Sequence, residues 1–458
     1  MFHIRSLKGK VPVAITIAGS DSGGGAGIQA DLKTFAALGV HGATAITSVT
    51  AQNTCSVTSI EDLKAEIIRE QIKAVAEDIG IDAGKTGMLH TEDIIKIVSS
   101  EVSKYTFPLV VDPVMISKSG ASLLKPEAID ALENCLLPKA TVITPNRFEA
   151  EKLAHMKIEN LKDVETAAKR ISKIGPKAVV IKGGHLEESQ AIDVLYYKGK
   201  CKTLSAPRFD VRTTHGTGCS FSAAIAAELA KKTDVPAAVQ KAKEIVTLGI
   251  KFGIEIGEGY GPVNPMAHLY RESSRYKVLT NLEKAKASLE ATPRVAMLVP
   301  EVGMNIAMSI PYAEGVDDVA AIEGRIVKTS EGVRAAGNPK FGCSSHLARY
   351  ILEIVKHDER KTAALNLKFS KNVLSTLQKL GMTLSYYDRR KEPEEIRKVD
   401  GMTVPWGVKQ AIQRIGKIPD AIYHMGDIGK EPMIVILGEH PCELAKIVKE
   451  IAKKAERS

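Results

Sequence analysis

Short apolar runs alternate with longer amphipathic stretches through the first 270 residues. The run at 11–18 predicts a buried strand; a glycine-rich polar stretch, 19–27, separates it from a helical pattern over 28–38. Residues 43–50 alternate small, β-branched and polar side chains and predict a strand or flap. An amphipathic period over 60–75 predicts a helix. Further strands are predicted at 83–87, 109–112, 141–144 and 178–182, with helices at 91–103, 123–136, 147–154 and 164–174. A hairpin at 194–197 and 202–205 precedes helices at 221–232 and 236–254. This alternation implies a parallel, three-layer α/β domain. Ligands in such sheets lie at the carboxyl ends of the strands, where the polar stretches fall here.

Near residue 270 the texture changes, and the polar run from Arg271 to Arg275 reads as a joint. A helix at 279–289 opens a second unit, followed by strands at 295–299, 305–311 and 320–328 and a helix at 343–355. Residues 362–369, 371–380 and 382–387 predict a βαβ unit; a helix at 404–415, strands at 421–424 and 433–437 and a helix at 441–455 follow. The expected organisation is a domain over 1–270, a linker at 271–284 and a smaller α/β domain over 285–458.

Composition narrows the class. Charged residues make up 26 % of 458, and the net charge is +9. Residues 1–270 hold 32 Lys and Arg against 30 Asp and Glu, a net of +2, and residues 271–458 hold 31 against 24, a net of +7. The excess in the second half suits anionic ligands. No basic run is interleaved with aromatics, so small phosphorylated ligands are favoured over nucleic acid. The six cysteines sit at 55, 135, 201, 219, 343 and 442, without metal-knuckle spacing or a disulfide framework, which fits a reducing compartment. Residues 1–12 carry Arg5, Lys8 and Lys10 but no apolar core, so no secretory signal is expected. No apolar run approaches the roughly 18 residues of a membrane span.

The chemistry of the first domain centres on Thr214-His215-Gly216-Thr217-Gly218-Cys219. A glycine-rich turn feeding a helix leaves backbone N–H groups without intrahelical partners and makes an anion site. It equally describes an ordinary turn that packs a helix against a strand. Cys219 at the first turn of that helix is expected to have a lowered thiol pKa.

A wider set of motifs carries a resemblance. Ala18-Gly19-Ser20-Asp21 and Gly24 to Phe35, Ala51-Gln52-Asn53-Thr54, Lys85-Thr86-Gly87-Met88-Leu89 and Val111-Asp112-Pro113-Val114-Met115 take part in it. So do Thr144-Pro145-Asn146, Lys182-Gly183-Gly184-His185, the His215 loop and Gly259-Tyr260-Gly261-Pro262-Val263. In this order they resemble the hydroxymethylpyrimidine/phosphomethylpyrimidine kinases of thiamine biosynthesis. The resemblance implies a ribokinase-like fold, ATP and Mg²⁺ as cofactors, and two successive phosphorylations of hydroxymethylpyrimidine. It also implies a cytoplasmic homo-oligomer. The amides of Gly216, Thr217 and Gly218 form the implied anion hole. Cys219 stands where most of the superfamily has an aspartate base, and either accepts the alcohol proton or positions the alcohol. The pyrimidine is assigned to Gln52, whose carboxamide can pair with an aminopyrimidine edge as it does with adenine. Gly19, Asp31 and Met88 are the other implied pocket members, though Met88 also suits core packing. Asn146 and Lys182 are implied to serve the nucleotide, and Asp112 and Glu149 to hold Mg²⁺ mostly through water. A pyridoxal or sugar kinase is a further option; Cys219 and Gln52 argue against a sugar.

The second half offers Ile322-Glu323-Gly324-Arg325, Lys340 to Arg349 and Gly426 to Pro432. Arg325 has the planar fork for a phosphate clamp. His346, near a helix start, has the chemistry to donate to phosphate or move a proton. Read alone, both are equally a surface arginine and a core histidine. This half resembles the ThiN-type thiamine-phosphate synthases, and Arg325 and His346 match the two functional positions of that family. The resemblance implies condensation of hydroxymethylpyrimidine diphosphate with hydroxyethylthiazole phosphate, with Mg²⁺, Arg325 and Lys340 or Lys430 at the departing pyrophosphate. The competing reading is a non-catalytic sensor of thiamine phosphate that regulates the kinase.

Overall fold

The computed structural model describes residues 11–116, 120, 122–183, 190–427 and 429–454. The expectations for residues 1–10, Gly184, His185 and Ile428 lie outside them. The chain forms two compact units, Met1–Leu269 and Tyr270–Ser458.

The first unit is built on nine strands: β1 (Val13–Asp21), β2 (His41–Gln52), β3 (Val57–Asp62), β4 (Ala83–Thr86), β5 (Leu109–Val111), β6 (Val142–Ile143), β7 (Ala178–Ile181), β8 (Gln190–Tyr197) and β9 (Lys200–Pro207). Their order is β3-β2-β1-β4-β5-β6-β7-β8-β9. β2, β1, β4, β5, β6 and β7 are parallel, while β3, β8 and β9 run antiparallel. The expectation of a parallel sheet therefore holds for the centre and fails at both edges. The helix expected from residue 60 starts only at Ala65, because Val57–Asp62 pairs with β2 as a strand.

Central strands are apolar on both sides, as a sheet covered on both faces requires. Ile15 and Ile17 pack on one face with the helices Ala65–Ala74, Glu92–Val102, Arg147–Ala154 and Leu161–Ser172. Ala14 packs on the other with Gly27–Ala37, Thr217–Ala230 and Val235–Lys251. The helix Thr217–Ala230 is buried at every position from Ser220 onward. Such a helix is placed by packing all round, so its N-terminus is aimed with little freedom.

The second unit has a seven-stranded sheet in the order β14-β11-β10-β15-β18-β17-β16. The strands are β10 (Ile306–Ser309), β11 (Val319–Ile322), β14 (Pro339–Phe341), β15 (Ala363–Lys368), β16 (Leu384–Tyr386), β17 (Ala421–His424) and β18 (Met433–Gly438); β12 (Ile326–Thr329) and β13 (Gly332–Ala335) form a separate ribbon. The sheet is antiparallel except for β16 with β17. Three expectations change here. The strand expected at 320–328 is two strands, broken where Gly324 and Arg325 take φ of 70° and 72°. Residues Pro293–Leu298 form a tight helical turn, with proline fixing its start, instead of a strand. The polar joint and linker are helical: Ala267–Glu290 is one helix. Arg271 in it bonds the Tyr312 carbonyl and the carboxylates of Glu314 and Asp318, at 2.7–2.9 Å. Val278, Leu282, Ala285 and Leu289 recur every three or four residues and enter the core of this unit. Among the described residues no helix is long and apolar enough to cross a membrane.

Candidate active sites

In the first unit, the ends of the parallel strands bring the motifs together. β1 ends at Asp21, Asp112 and Lys182 directly follow β5 and β7, and Asn146 lies three residues past the end of β6. The helix Thr217–Ala230 begins among them. Gly216 precedes it at φ 77°, and a Cβ there would lie 1.9 Å from the Gly25 carbonyl. Gly27 has φ 56°, and its Cβ would lie 2.4 Å from the Gly19 carbonyl. Two glycine-rich loops thus dovetail at backbone distance. Among the described residues no side chain caps the helix at Gly216. The Thr217 amide turns back to the Thr214 carbonyl at 3.4 Å, and the next amides, Gly218 and Cys219, are left open at the helix start.

Lys182 and Asp112 border those amides. A Cβ on Gly218 would meet Lys182 Nζ at 3.1 Å and Asp112 Oδ2 at 3.6 Å. Lys182 and Asp112 pair at 2.9 Å, and Thr144 and Ser222 donate to the same carboxylate at 3.2 and 3.3 Å. Asn146 and Glu149 form a reciprocal cap on the helix Arg147–Ala154. Burial pushes the Glu149 carboxyl up to about 7; Lys182 opposes the rise and Asp112 adds to it. Among the described residues no group of three or more His, Cys, Asp or Glu side chains could hold a metal by itself. The carboxylate oxygens of Asp112 and Glu149 accept hydrogen bonds from Thr144, Ser222 and the Asn146 amide, and are hard donors of the kind a divalent cation takes.

Cys219 corrects an expectation. A helix N-terminus tends to lower a thiol pKa, yet burial pushes Cys219 up to about 11. Lys85 and the Gly27 amide pull it down, Asp31 and Asp112 push it further up, and removal from water dominates. Beneath it, Asp31 is enclosed: Thr16 Oγ1 donates to its Oδ2 at 2.6 Å and Lys85 Nζ at 2.8 Å. Met88 is buried against Gly19, its Cε 2.7 Å from where a Gly19 Cβ would stand. At the far end of the loop, His215 Nε2 lies 3.1 Å from Asp21 and 3.2 Å from the Gln52 carboxamide. Lys85, Asp21 and His215 are members that sequence reasoning did not single out. The available signal for Lys85 was a lysine inside the four-residue core strand β4, where a buried cation requires a carboxylate.

In the second unit, Arg325 sits at the positive-φ turn, exposed, and its guanidinium donates to the Val302 carbonyl. His346 is the second residue of the helix Ser345–Ile354. Its Nε2 is buried with no hydrogen-bond partner among the described residues, and so is Nε of Arg389. The imidazole meets Tyr350 edge-on at 5.3 Å; the hydroxyls of Tyr350 and Tyr387 share a hydrogen bond at 2.9 Å; Tyr387 lies 5.3 Å from His424. Burial pushes His346 down to about 4, with Arg325, Arg389 and Arg349 adding to it. His424 is pushed down to about 3 by burial, Arg389 and His346. His346 is therefore neutral near pH 7 in the free protein. Lys340 is paired with Glu323 at 2.5 Å. Arg349, Arg389 and His424 join Arg325 and His346, and sequence reasoning missed them. Arg389 opens the run Arg389-Arg390-Lys391, which by composition reads as a solvated basic patch.

Residues 21–264 match the family model described as phosphomethylpyrimidine kinase, and residues 281–450 match thiamine-phosphate synthase ThiN. A hydroxymethylpyrimidine/phosphomethylpyrimidine kinase of Bacillus subtilis is 47 % identical over 256 residues, which are 56 % of this chain and 94 % of the relative. The thiamine biosynthesis bifunctional protein ThiED of Geobacter sulfurreducens is 41 % identical over 55 % of this chain and 51 % of its own length. Among solved structures, the Bacillus subtilis pyridoxal kinase in an ADP complex has a TM-score of 0.53 and 42 % identity, covering 56 % of this chain and 98 % of that one. A Staphylococcus aureus pyridoxal kinase with AMP-PCP and pyridoxal has a TM-score of 0.53 at 37 % identity, over 57 % and 95 %.

Proposed function

This chain belongs to the phosphomethylpyrimidine kinase family, and from that premise we propose that it makes thiamine phosphate at two centres. The first phosphorylates 4-amino-5-hydroxymethyl-2-methylpyrimidine to its monophosphate and then its diphosphate, with ATP as donor. The second joins the diphosphate to hydroxyethylthiazole phosphate and releases pyrophosphate. What supports the reading most is one piece of geometry: the uncapped amides after Gly216 open beside the Asp112–Lys182 pair, at the strand ends of a family kinase fold.

Phosphoryl transfer asks for alignment and charge stabilisation more than for covalent help. The Gly216–Cys219 amides receive the transferring phosphate, and Lys182 answers charge that develops on it. Gln52 reads the pyrimidine, with Gly19 and Met88 beside it. Asn146 and Lys182 serve the nucleotide. Asp112 and Glu149 hold Mg²⁺ through water, and the ion supplies neutralisation of the phosphate oxygens. With its proton held this tightly, Cys219 positions the substrate hydroxyl as a thiol. Asp31 acts one layer below, by fixing Lys85 under the sulfur.

At the second centre, the 4-amino group pushes electrons toward the methylene as pyrophosphate leaves, and the thiazole nitrogen then attacks that carbon. Arg325, Arg349 and Arg389 receive the charge of the leaving group. The unpartnered nitrogens of His346 and Arg389 are donors or acceptors waiting for such a ligand.

A coupled assay tests both centres. Hydroxymethylpyrimidine, ATP, thiazole phosphate and Mg²⁺ should yield thiamine phosphate; the diphosphate and thiazole phosphate alone should yield it without ATP. Tight product binding without condensation would make the second unit a sensor instead. The pyridoxal kinase likeness motivates one control, turnover on pyridoxal, which should fall well below turnover on the pyrimidine.

A further inference from the structure

Gln52 belongs to a hydrogen-bonded chain, Asp21–His215–Gln52–Thr50, whose other members have no role in the mechanism above. Asp21 Oδ2 accepts the backbone N–H groups of Gly25 and Ala26 at 3.1 and 2.8 Å, and Oδ1 accepts that of Gly23 at 2.8 Å. Burial pushes the Asp21 carboxyl up, but hydrogen bonds from His215, Ala26 and Gly23 outweigh it and hold the group below the usual value. An ionised carboxylate only accepts, so the proton on His215 Nε2 points at Asp21 across 3.1 Å. The ring is wedged in place: a Cβ on Gly25 would stand 2.4 Å from His215 Cδ2.

That proton decides the orientation of Gln52. One end of the carboxamide lies 3.2 Å from His215 Nε2, and the other lies 3.2 Å from Thr50 Oγ1. Thr50 Oγ1 also lies 3.0 Å from the Ser20 carbonyl, to which it can only donate. The amide nitrogen at the imidazole would set two donors against each other and ask the one Thr50 hydrogen to serve two acceptors. With the ends exchanged, the one His215 Nε2–H is shared between Asp21 and the amide oxygen, the amide nitrogen donates to Thr50, and Thr50 donates to Ser20. Only this arrangement sets no donor against a donor, and the two ends of an amide are assigned by such a network.

The remaining lone pair and the remaining N–H of Gln52 then share one free edge with a fixed polarity. A 4-aminopyrimidine offers an N–H and a ring nitrogen that match it in one orientation. The 4-oxo counterpart, with an oxygen and a ring N–H, needs the reverse polarity. Turning the amide to suit it would break the bonds to His215 and Thr50 together. We propose that His215, oriented by Asp21, is a positioning residue that locks the polarity of Gln52 and so makes the kinase select 4-aminopyrimidines over their deaminated 4-oxo forms. The inference rests on the reading that Gln52 faces the pyrimidine.

The test compares kcat/KM for the 4-amino substrate and its 4-oxo counterpart in wild type, Gln52→Ala, His215→Phe and His215→Gln. His215→Phe keeps a ring but loses the proton, and should reduce the 4-amino preference about tenfold, the effect of one mismatched hydrogen-bonded pair, through KM and not kcat. His215→Gln restores a donor and should recover part of the preference. KM for ATP and the condensation rate should stay unchanged in both. An unchanged preference in His215→Phe, with the preference lost in Gln52→Ala, overturns the inference alone. An unchanged preference in Gln52→Ala overturns the placement of Gln52 and the inference with it, while kinase activity on the pyrimidine stands. Loss of nucleotide binding in both His215 variants assigns the residue to loop architecture and also overturns the positioning role.

Discussion

The two sites differ in where their charges are answered. At the first site the described lysines have their own acids, Lys85 with Asp31 at 2.8 Å and Lys182 with Asp112 at 2.9 Å, and the His215 ring lies 3.1 Å from Asp21. In the second, three guanidinium groups bear on His346 without a carboxylate among its influences. Arg349 reaches the fully exposed Asp400, at 3.7 Å. A self-neutralised site keeps its shape in the absence of ligand and exchanges partners when phosphate arrives. A site of unanswered cations is completed by its ligand, which must bring the negative charge. The lesson is that one class of ligand, phosphorylated small molecules, is met by two electrostatic designs in one chain.

The largest expected effect separates the centres outright. Cys219→Ala should lower both phosphorylations by about 10²–10⁴ and leave condensation intact. Arg325→Ala should lower condensation by about 10²–10³ and leave phosphorylation intact; cross-effects in the separate assays would break the two-centre reading. Next, Lys85→Met strands Asp31 and should destabilise the first unit by about 3–5 kcal/mol in denaturant unfolding. Arg389→Met should leave the free second unit as stable or more so, because it removes an unpaired cation. Equal losses would erase the contrast.

Glu149 gives a pH signature. Its carboxyl titrates at about 7 in the folded protein against an ordinary 4.5, so the folded state binds the proton more tightly. The associated stability is complete below about 4.5 and lost as pH rises through 7, up to about 3 kcal/mol. Unfolding of wild type against Glu149→Gln from pH 5 to 8 reads it. Pyrophosphate at a hundred times its Kd should stabilise the second unit by about 2.7 kcal/mol, and less in Arg389→Met; an equal gain in wild type and variant would exclude Arg389 from the anion site. The smallest effect is Asn146→Ala, which removes one side of the helix cap and should cost about 1 kcal/mol in the same unfolding experiment.

Much of the first site was legible because its motifs lie at strand ends, where topology delivers them to one place: Asp112 and Lys182 follow a parallel strand directly, and Asn146 comes three residues after one. What the sequence hid was pairing. Nothing in the local pattern joins Lys85 to Asp31 across 54 positions, or His215 to Gln52 across 163. The thiol of Cys219 was misjudged for a related reason: the helix start is a local feature, while the burial that overrides it comes from the whole sheet. In the second unit Arg325 and His346 stood out; Arg349 lies one turn after His346 on the same helix, but Arg389 and His424 come from two further segments that no periodicity links to it. The stretch Arg271–Arg275 was read as a joint because it is polar, and the helix was expected only from residue 279; the arginines of that stretch find their acids only in the folded unit.

The dovetailed loops have a consequence for how this enzyme can change over evolutionary time. The glycines at 25 and 216 belong to segments about 190 residues apart, yet each is closed to a side chain by ring or backbone atoms of the other's loop, while Gly27 is closed by the Gly19 carbonyl of its own loop. Even an alanine at any of them forces the neighbour to shift, so no single replacement is neutral, and drift in one loop is admissible only after a compensating change in the other. The substrate pocket can thus diversify through Met88, Gln52 and their neighbours while the phosphate cradle stays fixed. A scan of all single substitutions should find these three glycines intolerant and the surrounding pocket comparatively permissive.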